Sequence, residues 1–194
     1  TQFASSAASD VYKRQGSDYK SVFAVILGTG VGAGFSYDKK IIVGPNKLTG
    51  EWGQNPIPGP MDDYEKSVKR HCGRIGAIEV FLSGPGLENY YKFISGSKKS
   101  SREIVSLYKE NDSFANEVMD IYFERIARSF STFVNILDPD IIVCGGGMSE
   151  IDDIYSEVPK RIIPYIASNY FLTPIVKAFH GSTSGVRGAA HLWD

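Results

Sequence analysis

Residues 22–34, Val-Phe-Ala-Val-Ile-Leu-Gly-Thr-Gly-Val-Gly-Ala-Gly, constrain this chain more than any other stretch. An apolar, partly β-branched run enters glycines at positions 28, 30, 32 and 34, with Thr29 between the first two. The apolar run has the composition of a buried strand. Glycine at every second position leaves bare backbone, and bare N–H groups are what a chain uses to cradle a phosphate. Two phosphate loops are excluded. No Gly-x-Gly-x-x-Gly opens a helix, and no Gly-Lys-Ser/Thr ends the run. What remains is a strand-turn-strand cradle in which Thr29 offers a hydroxyl and Gly28 and Gly30 offer N–H groups. A glycine-rich hairpin with bulges fits the spacing equally well.

A second cluster, Gly145, Gly146 and Gly147, sits between the apolar residues 141–144 and a helical stretch. The carboxyl end of a strand in an α/β sheet is where nucleotides bind. Three consecutive glycines exceed what a turn needs, which points to close backbone approach by a flat ligand.

The remaining pattern alternates strands and helices, which makes the chain α/β. Residues 31–37 and 40–43 read as the two strands of a hairpin, and residues 61–71 as an exposed loop of mixed charge. Helices are expected over 77–82 and 83–94, and after Ser100, where Glu103 completes capping-box spacing. The longest helix runs from a Ser113 cap to Leu137, about 36 Å at 1.5 Å per residue. Phe114, Val118, Tyr122, Ile126, Phe130, Phe133 and Leu137 form its apolar stripe. Residues 138–140 end it. A strand over 141–144, a helix over 151–167 broken near Pro159 and Pro164, a strand over 173–179 and a final helix over 184–193 complete the reading.

The chain has 194 residues and a formal net charge of −1. The length fits one domain or one large lobe, and the near-zero charge argues against nucleic acid as a partner. No apolar run can span a bilayer. Cys72 and Cys144 are the two cysteines, so a disulfide framework is not expected and a cytoplasmic location is. Residues 6–15 resemble translated cloning-adaptor sequence. Residues 1–20 are read as a non-native or poorly ordered segment, residues 21–194 as the folded lobe, and the chain as an N-terminally incomplete fragment.

Four segments, in order, resemble the ROK (repressor, open reading frame, kinase) sugar kinases. They are residues 27–34; Gly44-x-Asn46 through Gly50-Glu51-Trp52-Gly53-Gln54; Cys72-Gly73-Arg74 through Glu79 and Ser83-Gly84; and residues 135–149 with their Asp138-Pro139-Asp140 and triple glycine. The ending from His180 to Trp193 is similar as well, and the likeness is greatest to the fructokinase/mannokinase branch. The resemblance implies an actin-like ATPase (RNase H-like) fold, of which this is the C-terminal lobe. It also implies ATP- and Mg²⁺-dependent phosphorylation of a hexose, fructose first, with relatives commonly forming homodimers. Gly28, Thr29, Gly30, Val31, Gly32 and Gly34 would hold ATP phosphates, and Gly145, Gly146 and Gly147 the adenosine. Glu51, Gln54, Glu79 and, less directly, Asn46 would bind sugar, carboxylates being strong acceptors for hydroxyls.

Two departures from the family stand out. Its catalytic aspartate lies in an Asn-Asp-Ala-Asn segment that this sequence lacks. Asp10 and Asp18 are the aspartates upstream of the loop, and neither has that context. Its zinc site falls here on Arg70, Cys72, Ala77 and Gln54, which retain one thiol, so loss of zinc is expected. A sugar-responsive ROK regulator and a degenerate sugar-binding protein are the alternatives to a kinase.

Overall fold

The computed structural model describes residues 16–179. The expectations for residues 1–15, including Asp10, and for the final helix lie outside them. Five strands form one mixed sheet in the order β3-β2-β1-β4-β5. They are β1 (Ser21–Leu27), β2 (Val31–Tyr37), β3 (Lys40–Ile41), β4 (Ile141–Gly145) and β5 (Ile175–Lys177). β1 is central, antiparallel to β2 with Leu27 opposite Val31, and parallel to β4 with Val22 opposite Ile141. That position explains its continuous apolar run. Phe23, Val25 and Leu27 face the main core, whereas Val22 and Ala24 join Ile141, Val143 and Ala178 on the other face. A strand buried on both faces has no place for polar residues.

Six helices are described: α1 (Asp63–Ser67), α2 (Glu79–Leu82), α3 (Gly84–Ser95), α4 (Ser101–Lys109), α5 (Ser113–Leu137) and α6 (Ile154–Arg161). Ser83 caps α3 by accepting the Gly86 N–H, and Ser100 and Glu103 cap α4 reciprocally, as their spacing predicts. The cap of α5 is Asp112, not Ser113: its carboxylate accepts the Ala115 N–H at 2.9 Å, leaving Ser113 as the first helical residue. Val118, Tyr122, Ile126, Phe130 and Phe133 are buried, but Phe114 is 44% exposed. Ala115 and Val118 take the core-facing positions at that end. Asp138, in the left-handed region at φ 40°, ends the helix.

The segment expected as an exposed loop, 61–71, is the clearest correction. It contains α1, and Glu65 on that helix is 1% exposed. Its carboxylate accepts from Arg125 Nε at 2.9 Å and from Arg128 Nη1 at 3.1 Å, both on α5. Asp62 accepts from Arg125 Nη2 at 3.3 Å, and Arg128 also donates to the Pro58 carbonyl. The Arg125 guanidinium lies 4.1 Å from the centre of the Tyr90 ring. A charge pattern that looks solvated in sequence is therefore a buried network fastening residues 58–67 to α5.

Smaller differences have local causes. The hairpin's return strand pairs only over Lys40–Ile41, and Ile42 and Val43 are exposed. The last strand is Ile175–Lys177 rather than 173–179. Pro174 has no N–H to donate, and its carbonyl accepts the Ile142 N–H at 2.9 Å. Pro159 lies inside α6, which ends at Arg161 before a 3-10 turn at Ile163–Tyr165. Both described cysteines are free, Cys72 exposed and Cys144 buried, and burial pushes the Cys144 thiol up to about 12. No described helix is long and apolar enough to cross a membrane.

Candidate functional site

The loop joining β1 to β2 closes on itself. The Gly28 N–H donates to the Gly30 carbonyl at 3.0 Å, so it is occupied rather than presented to a ligand. The Gly28 carbonyl accepts the Gly84 N–H at 2.8 Å, which fastens the start of α3 to the loop. Thr29 is exposed at the tip. Among the described residues, the Thr29 and Gly30 N–H groups have no acceptor in the chain. The N–H groups this loop leaves free are thus those of Thr29 and Gly30, not that of Gly28.

The second glycine cluster meets this loop from the neighbouring strand. Gly146 has φ +91°, and a Cβ there would lie 2.3 Å from the Leu27 carbonyl oxygen. Only glycine lets the chain leave β4 so close to the end of β1. Gly147 is exposed, and a Cβ on it would meet nothing within 4 Å, so this is the open face of the cluster. Gly145 is the buried last residue of β4, paired with Ile26.

Gly28, Thr29, Gly146 and Gly147 line one cleft of about 790 Å³. Its other walls come from Gly84, Pro85 and Glu88 on α3, from Ser101, Arg102 and Val105 on α4, and from Ile26, Met148, Glu150 and Ile151. The Glu88 carboxylate accepts the Ser101 N–H at 2.9 Å and ties the two helix walls together. The volume suits a small-molecule ligand. The apolar side chains of Ile26, Val105, Met148 and Ile151 line the same cleft as Thr29, whose N–H is free, whereas Gly30 and Gly145 do not line it. That combination fits a flat base at one end and a phosphate chain at the other. Sequence reasoning missed the helix walls, whose one visible signal was the small-residue run Ser83-Gly84-Pro85-Gly86. A Cβ at Gly84 would meet Met148 Sδ at 3.5 Å. Val31, Gly32 and Gly34 run on into β2, Gly32 opposite Ile26 and Gly34 opposite Ala24, and do not line this cleft.

The expected sugar residues are held by two loops laid on β2. Gly50 has φ +89°, its carbonyl accepts the Ala33 N–H at 2.8 Å, and a Cβ on it would strike the Ala33 oxygen at 1.7 Å. A Cβ on Gly53 would come within 2.4 Å of the Val31 oxygen. These two glycines press residues 50–54 onto the strand, and Glu51 and Gln54 come with them. The segment then pairs with the next loop. Ile57 N–H donates to Gly76 O at 2.7 Å and Ile78 N–H to Asn55 O at 2.9 Å, which sets Glu79 at the start of α2. The Glu79 carboxylate accepts the Val31 N–H at 3.3 Å and Arg70 Nε at 3.0 Å. It therefore stands against the phosphate-type loop. Glu51 and Gln54 line a second cavity of about 800 Å³ that includes neither Glu79 nor Asn46, and Asn46 is exposed in the turn Gly44–Lys47.

At the positions compared with a zinc site, Arg70 Nη1 lies 3.5 Å from Cys72 Sγ, and Ala77 is buried in a bridge to Pro56. Among the described residues no group of three or more His, Cys, Asp or Glu side chains converges to hold a metal ion. Arg70 and Ala77 offer no zinc ligand beside the Cys72 thiol, so the zinc donor set is incomplete at these positions, and no step is derived through zinc or Mg²⁺. Asp18 is exposed in the turn before β1.

The sheet, its helix layer and the cleft at the strand ends define one lobe of an actin-like ATPase fold. The chain belongs to the ROK family, which it matches over residues 2–194. An N-acetyl-D-glucosamine kinase from Vibrio atlanticus is 38% identical over 190 residues, covering 96% of this chain and 63% of that protein. One from Vibrio cholerae is 37% identical over 192 residues, again covering 96% and 63%. The chain thus spans 63% of the length of these relatives. A ROK family glucokinase from Streptomyces griseus, solved with glucose and AMPPNP, superposes with a TM-score of 0.84 at 21% identity, covering 98% of this chain and 66% of that one.

Proposed function

We propose that this chain supplies the nucleotide cleft and the sugar carboxylates of an ATP-dependent hexose kinase. The observation that carries the reading is the convergence of Gly28, Thr29, Gly146 and Gly147 on one cleft, with Glu79 hydrogen-bonded to the same loop's Val31 N–H. ATP would lie with its base between Val105 and Met148 and its phosphates on the Thr29 and Gly30 N–H groups. Glu51, Gln54 and Glu79 would orient the sugar hydroxyls beside the loop. Catalysis of phosphoryl transfer is mostly positioning and charge stabilisation, and fixed backbone donors serve both. The base that takes the hydroxyl proton belongs to the Asn-Asp-Ala-Asn context that this sequence lacks.

The names of the relatives favour N-acetyl-D-glucosamine as acceptor over fructose, to which the motif resemblance points. The complete reading frame containing this chain, assayed with ATP against N-acetyl-D-glucosamine, fructose, mannose and glucose, tests the proposal. ATP consumption with formation of the sugar phosphate supports it. Absence of transfer to every sugar, with sugar-dependent DNA binding in its place, supports a ROK regulator.

A further inference from the structure

Arg70 makes the one side-chain ion pair to Glu79 among the described residues. It sits in a tight turn. Its N–H donates to Arg74 O at 2.8 Å, its carbonyl accepts the Gly73 N–H at 2.8 Å, and Lys69 and Ile75 form the bridge below. Its guanidinium reaches out of this turn, Nε to Glu79 Oε1 at 3.0 Å, and the two side chains are only 18% and 23% exposed. Glu79 is held from the opposite side by the phosphate-type loop, with Oε2 on the Val31 N–H at 3.3 Å. The fit is close. A Cβ on Gly30 would come within 2.9 Å of that same Oε2. One carboxylate is therefore gripped between a guanidinium and the loop proposed to carry the phosphates.

We infer that Arg70 is the positioning residue for the sugar carboxylate. It fixes the Glu79 rotamer so that one carboxylate locks the loop at Val31 while its remaining lone pairs face the sugar hydroxyls. A carboxylate has acceptor sites for about four hydrogen bonds, so the pair and the N–H leave room for a substrate. A partly buried pair resists screening better than an exposed one. This inference rests on the kinase reading, because it assigns Glu79 to the sugar.

The test uses the complete reading frame, with KM for the sugar, KM for ATP and kcat measured for wild type, Arg70→Ala, Arg70→Lys, Glu79→Gln and Arg70→Ala/Glu79→Gln. Arg70→Ala is expected to raise the sugar KM on the order of tenfold. The ATP KM should rise by much less than the sugar KM, since neither residue lines the cleft of the nucleotide and only the loop at Val31 links them to it. Lysine should restore part of the loss, and Arg70→Ala should add nothing in the Glu79→Gln background, because coupled residues are non-additive. An unchanged sugar KM overturns the inference. So does a parallel rise of both KM values in step with lost thermal stability, which is what a merely structural Arg70 would give. A wild type that transfers phosphate to no sugar removes the kinase reading itself, and this inference with it.

Discussion

Replacing Glu65 with alanine removes the single anion that two arginines share in the interior. Glu65 is 1% exposed, Arg125 is 2% exposed, and their charged atoms are 2.9 Å apart. Arg128 keeps the Pro58 carbonyl, which its Nη2 reaches at 2.6 Å, and so remains hydrogen-bonded. Arg125 keeps only the half-exposed Asp62 at 3.3 Å and the faces of Tyr90, Phe81 and Tyr64. Removing one partner of a buried pair typically destabilises by about 3–5 kcal/mol, because a charge is left in the interior without its counter-ion. For a chain of this size each kcal/mol moves the melting midpoint by roughly 2–4 °C, so the expected fall is roughly 6–20 °C. Glu65→Gln keeps one acceptor without the charge and should lie between wild type and Glu65→Ala. Added salt should not close the gap, since buried pairs are weakly screened. Urea unfolding followed by circular dichroism, together with thermal melts at low and high salt, gives all three numbers. A loss for Glu65→Ala below about 1 kcal/mol, the value of an ordinary surface pair, would refute the argument that this network holds residues 58–67 to α5.

Gly146→Ala and Gly147→Ala separate folding from binding. The first forces a Cβ to 2.3 Å from the Leu27 oxygen at φ +91° and should cost about 1–3 kcal/mol or more in strain, read by denaturant titration. The second meets nothing within 4 Å and should leave stability intact while weakening nucleotide binding, read by titration with an ATP analogue. Asp140 accepts the Ser21 N–H at 2.7 Å and the Ser21 hydroxyl at 3.0 Å, and these bonds hold its carboxyl below the usual carboxylate range. A depressed folded pKa contributes stability that is present above the unfolded value, about 3.9, and is lost as pH falls through the folded one. Thermal melts from neutral to acidic pH should therefore show Asp140→Asn less stable than wild type at neutral pH, with the difference shrinking below about pH 4.

Several backbone demands were legible in the sequence because they are local. A backbone that must pass within 2.3 Å of a carbonyl, or take φ near +90°, needs glycine, and Gly50, Gly53 and Gly146 show those needs in the structure. The apolar run of β1 and the helix caps at Ser83 and Ser100 are read from neighbours in sequence, and they stand where the pattern put them. What was illegible depends on partners far along the chain. Glu65 finds Arg125 and Arg128 some 60 residues away, so its segment looked like solvated loop. Beyond Gly84, the α3 and α4 walls of the cleft were not visible in the sequence, because Pro85, Glu88 and Val105 contribute only shape and a hydrogen bond. The Gly28 N–H was misassigned for a related reason, since a tight turn turns that donor inward to Gly30.

The central claim is that the two glycine clusters form one nucleotide site. Two-dimensional amide NMR of this chain, titrated with a non-hydrolysable ATP analogue to millimolar concentration, tests it most directly. The expected shifts gather at Thr29 and Gly30, at Gly84, at Gly147 and Met148, and on the Ser101–Val105 turn of α4. Shifts that leave Thr29, Gly30 and Gly147 unmoved while others respond, or none at all at that concentration, would contradict it.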